Sequence, residues 1–167
     1  GKYMGWDPDL LIGQDMYDKT IGLLGMGRIG KEVVKRARKG FDATVLYYDI
    51  YRDKAFELEY GVKYVSQEKL LSTSDIVSIH VPLLPATRHL ITVKTLGAMK
   101  KSALLINTSR GPIVDEKAVL KALYKNKLGG YALDVFECEP EIDCDPKDQY
   151  ELKKLDTVIM TPHIASA

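Results

Sequence analysis

The stretch TIGLLGMGRIGKEVVKRARK (20–39) constrains the fold more tightly than any other part of the chain. An apolar run ends in Gly25-Met26-Gly27-Arg28-Ile29-Gly30, and helical spacing then puts Ile29, Val33, Val34 and Ala37 on one face. A glycine loop of this kind is a weak signal alone and gains meaning from the strand before it and the helix after it. Gly25 permits the tight turn, Gly27 lets a pyrophosphate approach the backbone, and Gly30 lets helix and strand pack closely. Free amides at the helix N-terminus supply the anion site, where the helix dipole favours negative charge. The next β-rich run, ATVLYYD (43–49), ends in Asp49, 19 positions beyond Gly30. That is close to the ~20 expected of a carboxylate that holds ribose hydroxyls. A carboxylate there repels a 2′-phosphate, so the expected cofactor is NAD. Arg52, three residues on, keeps NADP as the lesser alternative.

The rest of the chain repeats the alternation. Further β-rich runs are VKYV (62–65), DIVSIHV (75–81), ALLINTS (103–109), GYALDV (130–135) and TVIMT (157–161), which with the first two make seven. Runs without polar alternation, such as LLIN and VIM, need cover on both faces, as in a parallel sheet between helices. A second helical segment, DEKAVLKALYKNK, aligns Ala118, Val119, Ala122 and Leu123; it opens at Asp115 behind a proline and stops before Gly129 and Gly130. The expectation is one doubly wound, Rossmann-type α/β domain over residues 1–167, its mostly parallel sheet of about seven strands covered by helices on both faces. Residues 1–19 read as an arm leading into the first strand, with Trp6 and Leu10 to Ile12 as apolar matter needing a surface to cover.

In an open parallel sheet the ligand lies beyond the carboxyl ends of the strands. Four such ends are unusually polar: HVPLLPATRHL, NTSRGPIVDE, DVFECEP and TPHIASA. They carry Arg110 before a Gly-Pro turn, Glu139 before a proline and His163 after one. Reduction of a 2-oxo acid by hydride needs such a set. Arginine clamps the substrate carboxylate through a bidentate fork and polarises the carbonyl, while histidine delivers the proton. A neighbouring carboxylate favours imidazolium and keeps that proton available near neutral pH. His80, at another strand end, is expected to be structural, since the mechanism needs no second proton donor. No metal site is expected.

These residues resemble the D-isomer-specific 2-hydroxyacid dehydrogenases. From about Trp6 onward the signatures follow in order: WDPDLLIGQDMYDKTIGLLGMGRIG, IHVPLLPATRHLI, MKKSALLINTSRGPIVDEKAVL, ALDVFECEP and TPHIASA. The entry WDP…G.D…KT most resembles the glyoxylate and hydroxypyruvate reductases of that family. The resemblance implies that Arg110 binds substrate, Glu139 tunes the histidine and His163 is the proton donor at the cofactor edge. For the cofactor it implies Arg28 and Ile29 at the pyrophosphate and Asp49 at the adenosine ribose. Val81, Pro82 and Thr87 would run along the dinucleotide, Thr108, Ser109 and Arg110 beside the nicotinamide ribose, and Asp134 near the nicotinamide. Family members insert this domain into a substrate domain, so chain is expected on both flanks and the substrate domain is absent from these 167 residues. The arm belongs, in the family, to a region that embraces a second subunit, which implies a homodimer.

Composition narrows the alternatives. Lys plus Arg number 24 against 23 for Asp plus Glu, which offers no electrostatic case for nucleic acid or an anionic membrane, and no apolar run is long enough to span one. The two cysteines, Cys138 and Cys144, lack redox or zinc spacing and are expected to be exposed free thiols in a reducing cytoplasm. Two other functions stand beside the enzyme. A non-catalytic, NAD-sensing corepressor-like domain would have no need of Arg110, Glu139 and His163 together. An S-adenosylmethionine binder would share the glycine loop but have no use for the later motifs.

Overall fold

The computed structural model describes Gly5, residues 15–139 and residues 147–165. Most of the expected arm, Trp6 and Leu10 to Ile12 included, lies outside the described residues, as do Ser166 and Ala167. The elements alternate as follows: β1 (Thr20–Leu24), α1 (Arg28–Phe41), β2 (Thr44–Tyr48), α2 (Lys54–Tyr60), β3 (Lys63–Tyr64), α3 (Gln67–Thr73), β4 (Ile76–Ile79), α4 (Val93–Ala98), β5 (Leu104–Asn107), a 3-10 turn (Gly111–Ile113), α5 (Glu116–Tyr124), β6 (Gly130–Leu133), α6 (Lys147–Leu152) and β7 (Val158–Met160).

The seven strands form one sheet in the order β3-β2-β1-β4-β5-β6-β7. Every pairing is parallel, with Thr20 opposite Thr44 and Ile21 opposite Ile76 in the central registers. Order reverses between β1 and β4, so a crevice opens between the loops that follow them. All strand ends that carry candidate site residues therefore fall on one edge. The last rungs of the ladder hold that edge: Gly25 N donates to Tyr48 O at 2.9 Å, His80 N to Leu24 O at 2.7 Å, Asp134 N to Asn107 O at 3.0 Å and Thr161 N to Leu133 O at 3.0 Å.

The central strand explains why the sheet is sandwiched. Leu23 and Leu24 point to opposite faces, and both are fully buried. Leu23 joins a cluster with Val34 and Ala37 of α1 and Phe56 of α2; Leu24 joins the larger one with Leu70 of α3, Leu96 of α4, Val119 of α5 and Leu152 of α6. Each such leucine contributes about 1.5–3 kcal/mol by leaving water, which is why TIGLL has no polar alternation.

Three local expectations change. Ile29, assigned by spacing to the apolar face of α1, is 69% exposed, because it sits in the first turn, beyond the sheet that Val34 and Ala37 pack against. α5 ends at Tyr124, well before Gly129, because Asn126 takes the left-handed conformation (φ 51°) and Lys127 N closes back onto Ala122 O at 2.8 Å. Asparagine is among the few side chains that tolerate that conformation, so it stops the helix where glycine was expected to. Cys138 is disulfide-bonded and not the free thiol expected; Cys144, the only other cysteine, lies outside the described residues.

Candidate functional site

The glycine loop forms one wall of the crevice. Gly25 has φ 101°, and a Cβ there would stand 2.7–2.9 Å from the backbone of His80 and Val81, so only glycine lets the loop after β1 and the loop after β4 meet. Gly27 is the N-cap of α1 and supplies no side-chain cap; Gly30 is buried in the first turn. Space beside Gly27 is open. The first amides of α1 therefore face an open cleft lined by Gly27, Arg28, Ile29, Glu32 and His80. This is an anion site in waiting, since those donors lack an intrahelical partner and lie at the positive end of the dipole.

Asp49 lies just past β2 and is drawn to the loop. Its Oδ2 accepts from Met26 N at 2.7 Å and its Oδ1 from Tyr51 N at 3.2 Å. Each oxygen keeps a lone pair for a hydroxyl donor. The uncapped helix, the room at Gly27 and the acceptors on Asp49 fit the pyrophosphate and adenosine ribose of a dinucleotide.

His80 is half-buried, and its Nε2 pairs with Ser78 Oγ at 2.9 Å. Burial pushes its pKa down from 6.5 to about 4, so the ring is neutral near pH 7. The loop beyond it is held by its own side chains. Thr87 Oγ1 donates to Pro82 O at 2.6 Å and accepts from Leu84 N at 2.8 Å, and Ser109 Oγ donates to Val81 O. Val81, Pro82 and Thr87 thus line up with Ser109 across the β4–β5 edge.

Asn107 is the residue whose importance the sequence left unstated. Fully buried at the end of β5, it accepts from Ser109 N through Oδ1 at 3.1 Å and donates from Nδ2 to Arg110 O at 3.0 Å. That clamp turns Thr108 and Arg110 outward, and both are exposed. Arg110 Nη1 donates to Ser109 O at 2.6 Å. Gly111 then passes so close to the segment after β6 that a Cβ would lie 1.7 Å from Phe136 O. The arginine turn and the segment carrying Glu139 are therefore packed backbone to backbone.

Two further carboxylates tie that segment down. Glu116, at the start of α5, accepts from Glu137 N at 2.8 Å, and Glu137 accepts in return from Glu116 N at 3.0 Å. Glu137 also pairs with His89 Nε2. Neither carboxylate nor His89 was singled out from sequence, because each acts on backbone or partners that spacing does not reveal.

Glu139 and His163 come together from loops 24 residues apart. His163 Nδ1 lies 2.8 Å from Glu139 Oε1, and Glu139 Oε2 accepts from Phe136 N at 3.3 Å. His163 holds φ 57°, a strained setting for a side chain of this kind, and Asp134 supplies the restraint. Asp134, which the resemblance puts near the nicotinamide, has its carboxylate buried under the His163 turn, accepting from Thr161 Oγ1 and from Ile164 N at 2.9 Å through Oδ1, and from Ala165 N at 2.7 Å through Oδ2. Burial works to raise its pKa, but those three hydrogen bonds and nearby His163 prevail and hold it below the ordinary aspartate value.

Among the described residues no helix is long and apolar enough to cross a membrane, and no group of three or more His, Cys, Asp or Glu is placed to hold a metal ion.

Comparisons with known proteins agree with this architecture. Residues 1–165 match the family described as D-isomer specific 2-hydroxyacid dehydrogenase, NAD binding domain. A glyoxylate reductase of Korarchaeum cryptofilum is 50% identical over 168 residues, covering 100% of this chain and 49% of the relative. A glyoxylate reductase of Thermococcus litoralis is 46% identical, covering 98% of this chain and 47% of the relative. Among solved structures, D-lactate dehydrogenase with NAD+ from Lactobacillus jensenii superposes with a TM-score of 0.83 at 36% identity, covering 95% of this chain and 49% of that one. The chain spans about half the length of the curated relatives it matches. A glycine loop at the β1–β4 crevice, an acidic residue past β2 and a family match over nearly every residue lead to one conclusion: this chain belongs to the D-isomer-specific 2-hydroxyacid dehydrogenases and is their NAD-binding domain.

Proposed function

We propose that the protein containing this chain is an NAD-dependent oxidoreductase that interconverts a small 2-oxo acid, such as glyoxylate or hydroxypyruvate, and its 2-hydroxy acid. The observation that carries the reading is the pairing of Glu139 Oε1 with His163 Nδ1 at 2.8 Å on the ligand edge of the sheet. With Nδ1 engaged by a carboxylate, Nε2 is left to exchange a proton with the substrate oxygen, and the carboxylate stabilises the imidazolium. Arg110 holds the substrate carboxylate through the part of its planar fork that the Nη1 bond to Ser109 O leaves free; it is exposed, on the turn clamped by Asn107. The bound nicotinamide supplies or accepts the hydride.

Gly25, Gly27, Arg28, Ile29 and Gly30 take the pyrophosphate, and Asp49 takes the adenosine ribose. Val81, Pro82 and Thr87 line the path of the dinucleotide, and Thr108, Ser109 and Arg110 flank the nicotinamide ribose. Asp134 serves by fixing the turn of His163 beside the nicotinamide. Asp49 favours NAD over NADP. We also take the protein to be a homodimer, following the family resemblance of the arm.

Full-length protein assayed with NADH should reduce glyoxylate or hydroxypyruvate. His163→Ala should lower kcat by about 10²–10⁴-fold with a smaller change in KM, as expected for loss of a general acid. Arg110→Lys should raise KM and lower kcat, each by about tenfold or more, because a point charge cannot reproduce the bidentate pair. Retained activity in both variants would refute the assignment, and NADH binding without turnover in the wild type would favour the corepressor-like alternative.

A further inference from the structure

The loop after β2 carries more positive charge than an NAD site needs. Lys31 from α1, Arg52 from the loop and Lys54 from α2 all line the cleft that contains Asp49. Three cations beside a ribose-binding carboxylate would suit a 2′-phosphate. Two of them are engaged. Lys31 Nζ lies 2.6 Å from Asp53 Oδ2. Arg52 is held by Glu57 through both arms of its fork, Nε to Oε1 and Nη2 to Oε2, each at 2.8 Å.

Glu57 is an anchored partner. Its side chain is only 13% exposed, and Oε1 also accepts from Tyr47 Oη at 2.8 Å. The same tyrosine accepts from Asp53 N at 2.9 Å, so the base of the loop is sewn to α2. Arg52 rests over the Tyr64 ring at 5.6 Å, and Tyr64 Oη donates to Asp49 O at 3.2 Å. The guanidinium therefore has a well-defined seat directed toward α2. The Nε–Nη2 edge it offers to Glu57 is one that can pair bidentately with a phosphate.

We propose that Glu57 is a specificity-determining residue that acts through Arg52: by occupying the guanidinium fork it withholds it from a 2′-phosphate and makes the cleft select NAD(H) over NADP(H). Asp49 repels the phosphate directly; Glu57 removes the cation that would otherwise welcome it. The inference rests on reading the Asp49 loop as the adenosine ribose site.

The test is a titration of the chain with NADH and with NADPH, followed by nicotinamide fluorescence. Glu57→Gln keeps an acceptor for Tyr47 Oη but removes the charge, and it should raise NADPH affinity about tenfold while NADH affinity stays within about twofold. That gain should shrink as ionic strength rises. Adding Arg52→Leu to Glu57→Gln should abolish the gain. Arg52→Leu alone, which does not depend on the Glu57 variant folding, should leave both affinities within about twofold of wild type, because the fork is already occupied. An unchanged NADPH:NADH ratio in Glu57→Gln, a gain that survives loss of Arg52, or a tenfold NADPH loss in Arg52→Leu alone would each overturn the proposal. Failure of the wild-type chain to bind NADH would overturn the ribose-site reading beneath it.

Discussion

His80 and His163 show how position on one edge sets what a histidine can do. Both follow a strand, but His163 is half-exposed with a carboxylate on Nδ1, whereas His80 is half-buried at the base of the cleft beside the glycine loop, its Nε2 paired with Ser78 Oγ. A neutral ring with a pKa of about 4 is no proton donor near pH 7, so the structural reading of His80 stands on its environment. The same burial makes it a source of acid sensitivity. Between pH 6.5 and 4 the unfolded chain binds a proton that folded His80 refuses, so its contribution is whole above about pH 6.5 and is lost as pH falls toward 4. A displacement of this size corresponds to about 3 kcal/mol at most. Urea unfolding of His80→Gln against wild type across that window should show the variant's stability falling less steeply with acidification. Parallel curves would refute the neutral, buried ring.

At the level of elements, what the sequence made legible was what local periodicity encodes. All seven strands lie within the β-rich runs, but the expected cover on both faces of LLIN and VIM fails at Leu104 and Ile159, which are 43% and 68% exposed because β5 meets water there and β7 is the sheet's edge strand. Asp115 caps α5 as expected, accepting from Ala118 N at 2.8 Å. The short helices α2, α3, α4 and α6 were not delimited, since six or seven residues hold too few turns for a periodic signal. The glycine loop and Asp49 were legible because one motif and one spacing specify them. Asn107, Glu116, Glu137 and the turn-holding contacts of Asp134 were not, because most of their partners are backbone groups that any residue could supply. This distinction yields a test. Asp115→Ala should cost about 1 kcal/mol through the lost cap and leave cofactor binding intact. Gly111→Ala forces a Cβ to within 1.7 Å of Phe136 O. It should cost about 3 kcal/mol or more and, by pushing the Glu139 segment off the arginine turn, lower kcat in the full-length protein beyond what lost stability explains. Equal effects of the two substitutions in unfolding and in turnover would show that the close approach at Gly111 has no bearing on the site.

For the whole molecule, the sheet edge gathers the proposed chemistry on one surface without enclosing it. Arg110 is exposed, and the side chains of Glu139 and His163 are 34% and 41% exposed. A proton exchanged from such a dyad meets bulk water, and a carboxylate clamped by an exposed arginine is screened by it. Enclosure requires a second wall, and curated relatives about twice as long have the chain to build one. Cofactor binding has no such requirement, because the glycine loop, the start of α1 and Asp49 all lie within these residues. The two functions should therefore separate. NADH at a hundred times its dissociation constant should stabilise the isolated chain by about 2.7 kcal/mol, seen as a rise in Tm. Its turnover of glyoxylate should be at least about 10²-fold below that of the full-length protein, the loss expected when positioning and exclusion of water are incomplete. A chain that stabilised with NADH and matched the full-length rate would show that Arg110, Glu139 and His163 suffice on an open surface, and the need for a second wall would fall.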